Sequence, residues 1–258
     1  MMENQRSVTI QPKQRGLSGS ALKWIAIVTM LVDHTAATIV NKWLLLEGVD
    51  FMSMDFNTQL GEHAMGLLAL YGIMRMIGRI AFPIFCFLLV QGFTHTHDVK
   101  KYILRLGVFT LISEIPFDLA FKGTFFYWGY NNVFFTLLFG VFVMWGIKVV
   151  EEQSSWGTSL KCVLKILVAI GGMIAAIICH TDYSWMGIFC ITLLYVTRNN
   201  KVKQIIVGCI SFAFEIVAPL AFIPIGFYNG QRGRNMKYFF YIFYPAHLLI
   251  LYLIALMF

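Results

Sequence analysis

The sequence predicts an all-α, polytopic membrane bundle of about eight transmembrane helices, and three observations lead there. Of its 258 residues 59% are hydrophobic and only 13% charged, where a soluble domain carries roughly 25% charged residues. Mean hydropathy is +0.72, and apolar runs recur along the whole length instead of forming one anchor. Aromatic residues make up 16% of the chain and 24 residues are Phe, more bulky apolar surface than a soluble fold of this size can hide.

In chain order the candidate spans are roughly 20–41, 65–92, 101–121, 129–150, 160–179, 184–197, 203–225 and 238–257. A crossing takes about 20 apolar residues, so 184–197 reads as a tilted or partial span. The second run is long, and Pro83 within GRIAFPIFCF is expected to kink or break it. Residues 1–19 are polar and basic and read as a cytosolic N-terminal tail without a secretory leader, followed by a single transmembrane domain over 20–258. Five cysteines (Cys86, Cys162, Cys179, Cys190, Cys209) lie in or beside apolar runs without paired or metal-ligand spacing. They read as small, buried, reduced side chains, and no metal site is expected.

Charge sets the orientation. With the N-terminus inside, thirteen Lys and Arg fall on inward segments and five (Lys42, Lys122, Arg232, Arg234, Lys237) on outward ones. The positive-inside rule then predicts a cytosolic N-terminus in the cell (inner) membrane, and an even helix count puts the C-terminus inside too. The basic stretch NGQRGRNMK, 229–237, objects: either a nearby segment is re-entrant or its cations serve a site. The net charge of +7 is mostly this inside bias and does not point to nucleic acid. Oligomeric state is not legible.

The informative residues are the ionisable ones at membrane depth: Asp33, His34, Arg75, Arg79, Glu114, Asp118, Asp182, Glu215 and His247. An Arg or Asp at a helix centre costs about 2.5–3.5 kcal/mol on the insertion scale. Spread over several helices of so small a chain, they point to a shared polar chamber. The bland alternative is a cluster of ion pairs that fixes helix packing. Arg75 and Arg79 are spaced to share one helix face, as are Glu114 and Asp118 on the next helix. His34, with its near-neutral reference pKa, is a candidate general base. Neighbours on a helix point about 100° apart, so Asp33 orients the His34 ring only if the helix bends there. Otherwise Asp182 or Glu114 is available.

These residues carry a resemblance. LSGSALKWIAIVTMLVDH at 17–34, GRIAFPIFCFLLVQGFTHT at 78–96, YILRLGVFTLISEIPFD at 102–118, NNVFFTLLFG at 131–140, DYSWMGI at 182–188, and YNGQRG with FFYIFYPAHLLIL within 228–251 together resemble the TraX family. That family is named for the conjugation protein that acetylates F pilin, and is more distantly similar to the transmembrane acyltransferases. The resemblance implies acetyl transfer in the membrane, with acetyl-CoA as cytosolic co-substrate. It places the catalytic base on His34 with Asp33 before it, the GRIAFP arginine on Arg79 and the YPAH histidine on His247.

Attack on a thioester needs a base for the acceptor's proton and donors for the oxyanion. His34 can be the first. Asn131, Asn132, Tyr183, Tyr244 or Arg79 can be the second, and Arg75, Glu114, Asp118, Asp182, Asn229 and Arg232 complete the candidate substrate and cofactor set. The implied partners are the lipid bilayer, acetyl-CoA and a peptide or carbohydrate acceptor. A membrane transporter with a buried polar path and a structural assembly protein are the competing classes.

Overall fold

The computed structural model describes residues 15–50, 60–234 and 237–258, so most of the predicted tail, residues 1–14, lies outside the described residues. Among the described residues every regular element is helical, and two isolated bridges, Leu17 to Tyr228 and Asn131 to Thr181, tie loops together.

Helix α1, Gly19–Thr35, starts at Ser18, whose hydroxyl accepts from the Ala21 amide at 3.3 Å. It runs without a break through a π turn, Ala36–Val40, into α2, Asn41–Leu46. The Thr38 hydroxyl donates to the His34 carbonyl at 2.7 Å within this stretch, the kind of local competition that loosens an α-helical ladder. Helices α3, Glu62–Gly78, and α4, Ala81–Thr94, make up the predicted second run. The break at Arg79–Ile80 lies upstream of Pro83 because the proline ring cannot donate to, and clashes with, the carbonyl four residues back, that of Arg79. Pro83 itself sits in the first turn of α4.

Helix α5, Val99–Lys122, begins at Asp98, which accepts from the Lys101 amide at 3.0 Å. That amide is the main reason the Asp98 carboxyl is held below the usual carboxylate range. Then follow α6, Val133–Glu152, α7, Thr158–Ile178, α8, Ser184–Val196, and α9, Lys201–Ser211. A short 3-10 turn, Ala218–Ala221, leads into α10, Phe222–Gly226, and the chain ends in α11, Lys237–Ala255.

Among the described residues four helical segments are long and apolar enough to cross a membrane: Gly19–Leu46, Glu62–Thr94, Val133–Glu152 and Thr158–Ile178. Ser184–Val196 and Phe239–Ala255 are shorter apolar helices, and α5 is long but carries six charged residues. Past its first turn, α7 exposes a run of large apolar residues (Val163, Ile166, Leu167, Ile170, Ile174, Ile177), as a lipid-facing helix requires. The chain is therefore a helical membrane protein.

Two expectations about topology need correction. The run 203–225 is not one span. Helix α9 ends at Ser211, the chain turns through Phe212–Val217, and α10 comes back. Lys201 Nζ donates to the Tyr228 carbonyl at 2.8 Å, and Tyr228 lies beside Leu17. This hairpin thus enters and leaves at the end of the bundle where α1 starts. Gly208 makes it possible, since a Cβ there would enter the Phe222 ring.

The C-terminus is the second correction. Helix α11 runs parallel to α1: Trp24 meets Phe239 at a ring distance of 5.3 Å, His34 meets His247 at 5.0 Å and Trp43 meets Phe258 at 5.6 Å. The C-terminus is at the opposite end from the start of α1, not beside it as an even number of crossings required. The hairpin also moves Arg232 and Arg234 beside Ser20, resolving the objection of the 229–237 stretch. Of the cysteines, only Cys86 and Cys190 are buried as expected; Cys162 is exposed, and Cys179 and Cys209 are half-buried.

Candidate functional site

A cavity of about 630 Å³ lies where α1 passes the α3–α4 break, walled further by the end of α5, the middle of α11, the start of α8 and the tip of the hairpin. It falls in the size range of small-ligand sites. Its polar lining is Asp33, His34, Tyr71, Arg75, Arg79, Lys122, Tyr130, Asp182, Tyr183, Ser184, Glu215 and Tyr244.

Close approach of α1 and α3 depends on Gly78, where a Cβ would collide with the Asp33 side chain. Asp33 then points at α3, and Arg75 Nη1 donates to its Oδ2 at 2.6 Å. Arg79, at the helix break, donates through Nη1 to Glu215 Oε1 at 3.0 Å. Each guanidinium has five N–H donors, so pairing neutralises the charge and leaves donors to spare. The second oxygens, Asp33 Oδ1 and Glu215 Oε2, are buried and have no hydrogen-bond partner among the described residues.

His34 points away from Asp33, toward α11. Its Nδ1 lies 2.7 Å from His247 Nε2, with the rings 4° from parallel. His247 Nδ1 lies 2.8 Å from the Phe243 carbonyl. A carbonyl only accepts, so His247 Nδ1 carries the hydrogen and, in the neutral ring, Nε2 is an acceptor. His34 Nδ1 must then donate, which leaves His34 Nε2 with a free lone pair. Neither Asp182 nor Glu114 orients His34; His247 does. Edge contacts from Phe121, at 5.5 Å, and Tyr244, at 6.0 Å, hold the ring from its sides.

Asp182 accepts from the Tyr130 hydroxyl on the cavity wall. Tyr183 stacks on Phe82 at 3.5 Å and also lines the chamber. Other predicted site residues stand elsewhere. Glu114 accepts from the Asn132 side chain, and from its backbone amide at 3.2 Å. Asp118 accepts from the Tyr127 amide at 2.7 Å. Both carboxylates thus hold the 123–132 loop and are absent from the cavity lining. Asn131 donates to the Cys179 carbonyl at 2.6 Å, and Asn132 caps α6 by accepting from Phe134 at 2.9 Å. Both Asn side chains are fully buried in these tasks, which removes them as oxyanion donors. Asn229 and Arg232 sit against residues 16–20 at the far end of α1, beyond reach of the chamber.

Glu215 was recognisable as a buried acid but carried no role until its partner was seen. Tyr130, Tyr71 and Lys122 had no distinguishing signal, since aromatic and terminal basic residues are common in membrane helices.

Residues 18–255 match the family described as TraX protein. A relative named "Probable fimbrial assembly protein FimC, serogroup H1", from Dichelobacter nodosus, is 26% identical over 265 residues, covering 91% of this chain and 94% of its own length. No solved structure matches. With almost the entire described bundle inside the matched range, this chain belongs to the TraX family.

Proposed function

We propose that the chain is a membrane acetyltransferase that moves an acetyl group from acetyl-CoA to an amine or hydroxyl acceptor, with His34 as general base. The observation that carries this reading is the series from the Phe243 carbonyl through His247 to His34, which leaves His34 Nε2 unprotonated beside a polar chamber. In the reaction, His34 Nε2 takes a proton from the acceptor as its nitrogen or oxygen attacks the thioester carbon. Spare donors of Arg75 and Arg79, with the Tyr183 hydroxyl, stabilise the oxyanion. The C–S bond then breaks, and the proton held by His34 passes to the leaving thiolate. The unpartnered oxygens of Asp33 and Glu215 favour an acceptor rich in N–H groups, such as a peptide N-terminus or an amino sugar.

The orientation follows from charge. With Arg232, Arg234 and Lys237 moved to the end that holds the N-terminus, only Lys42 and Lys122 remain at the opposite end among the described residues. We place the N-terminal end in the cytosol and the C-terminus outside, in the inner membrane. Purified protein in detergent, incubated with labelled acetyl-CoA and peptide or amino-sugar acceptors, should transfer label. No transfer to any acceptor, in protein shown to bind acetyl-CoA, would sink the reading.

A second reading has its own observation: a broken helix and a hairpin meeting at a charged pair also occur where transporters hold substrates. It predicts uptake of unmodified solute into proteoliposomes and no covalent product. The relative's name fits an assembly role as well, for which His34 would be dispensable.

A further inference from the structure

The polar chamber has an apolar side branch. A groove of about 350 Å³ runs between α8 and α9, and Trp185, Met186 and Phe214 wall both it and the chamber. From those shared residues it passes Phe189 and Ile210 and ends at Leu193 and Val207. Midway, the Cys190 thiol donates to the Ser211 carbonyl at 3.2 Å. The Ser211 hydroxyl donates to the Gly208 carbonyl at 3.1 Å. Thiol and hydroxyl are both used within the protein, so past Trp185 the groove offers an occupant apolar contact alone.

Its width decides between occupants. From Trp185 to Leu193 is eight residues, about 12 Å of helix. Spread over that length, the groove has a cross-section of about 30 Å², against about 80–110 Å² for an α-helix. An extended hydrocarbon chain fits; a partner's transmembrane helix does not.

The groove also has a direction. It leads from the chamber toward the end where α1 begins. There Gln204 donates to the Leu194 carbonyl at 2.8 Å, and Lys201 to that of Tyr228 beside Leu17. A lipid with its head in the chamber and its tail in this groove points as lipids do in the leaflet on the C-terminal side. At the junction Phe214 is followed by Glu215, whose Oε2 is buried without a hydrogen-bond partner among the described residues. That oxygen calls for an N–H donor on the head. We propose that the groove holds the hydrocarbon tail of a lipid whose amine-bearing head enters the chamber from that leaflet. This gives the acceptor of the proposed transfer a class, a lipid-tethered amine, and its use as acceptor rests on that reading.

The test places the full-length protein in phosphatidylcholine nanodiscs with a long-chain fatty amine that carries a diazirine in its tail. After irradiation, labelled residues are read by mass spectrometry. Label should fall on Phe189, Leu193 and Ile210, and excess unlabelled fatty amine should displace it. Leu193→Trp or Ile210→Trp fills the groove and should cut labelling about tenfold. Ile210 is itself exposed, so its variant does not depend on repacking the core. Ile206→Trp, on α9 but outside the groove, should change nothing. If a diazirine-tailed phosphatidylcholine labelled the groove as strongly, ordinary bilayer lipid would fill it. If an apolar helical peptide displaced the label and the fatty amine did not, the groove would belong to a protein partner. Either result, or labelling that both groove variants left intact, overturns the proposal. No arm needs acetyl-CoA or turnover, so failure of this site and failure of acetyl transfer are told apart.

Discussion

Glu215 meets Arg79 at 3.0 Å from the turn of a hairpin that never crosses the bundle. The pair joins two irregular stretches, the break between α3 and α4 and the turn after α9. Each exposes backbone and charge at a depth where lipid could satisfy neither. Glu215→Gln removes the negative partner and leaves a guanidinium that cannot deprotonate. It should lower stability in detergent by about 1–3 kcal/mol and reduce turnover. Thermal unfolding unchanged from wild type would mean the pair does not hold the hairpin in place.

The hairpin also makes a prediction about sidedness. In a background with the five cysteines replaced, Arg234→Cys should label from the cytosolic side and Phe258→Cys only from the outside. If both labelled from one side, residues 203–225 would be a full crossing and the C-terminus would share the side of the N-terminus.

Why the hairpin was not legible is physical. Residues 203–225 are long and apolar enough to read as a crossing, and hydropathy does not see direction. Glu215 and Pro219 marked a turn only once Lys201 was seen beside Tyr228. By contrast, the break near Pro83, the short α8 and the depth of Asp33 and His34 follow from local composition and were legible. The divergence of Asp33 and His34 toward different helices was legible from helical spacing as well. Their partners were not: Arg75 is 42 residues from Asp33, and His247 is 213 from His34. Glu114 and Asp118 share the spacing of Arg75 and Arg79, yet they hold a loop, because one helical spacing serves a chamber or a scaffold equally.

Gly78 tests the α1–α3 contact. Gly78→Ala puts a methyl group into the Asp33 side chain, so the helices must part or the Asp33–Arg75 bond must shift. Overpacking of this kind costs about 1–3 kcal/mol. Gly72→Ala, where a Cβ meets nothing within 4 Å, should be harmless and serves as the control. Equal melting temperatures for the two variants would show that α1 and α3 are not so close in solution.

The histidine pair makes the sharpest prediction, because the two rings have different tasks. His34→Gln keeps size and hydrogen bonding but cannot take the acceptor's proton, so turnover should fall about 10²–10⁴-fold with acetyl-CoA binding retained. At His247 the requirement is only an acceptor for His34 Nδ1. His247→Gln can supply one through its side-chain carbonyl and should keep more activity than His247→Leu, which leaves the Nδ1–H unpaired in a closed site. A merely structural role for His247 would make Leu, the better-packing apolar residue, the milder change. The order of the two His247 variants therefore decides whether that ring positions the base or only fills space. If His34→Gln turned over at the wild-type rate, the base would have to be another residue, and the free lone pair of His34 would have no part in the chemistry.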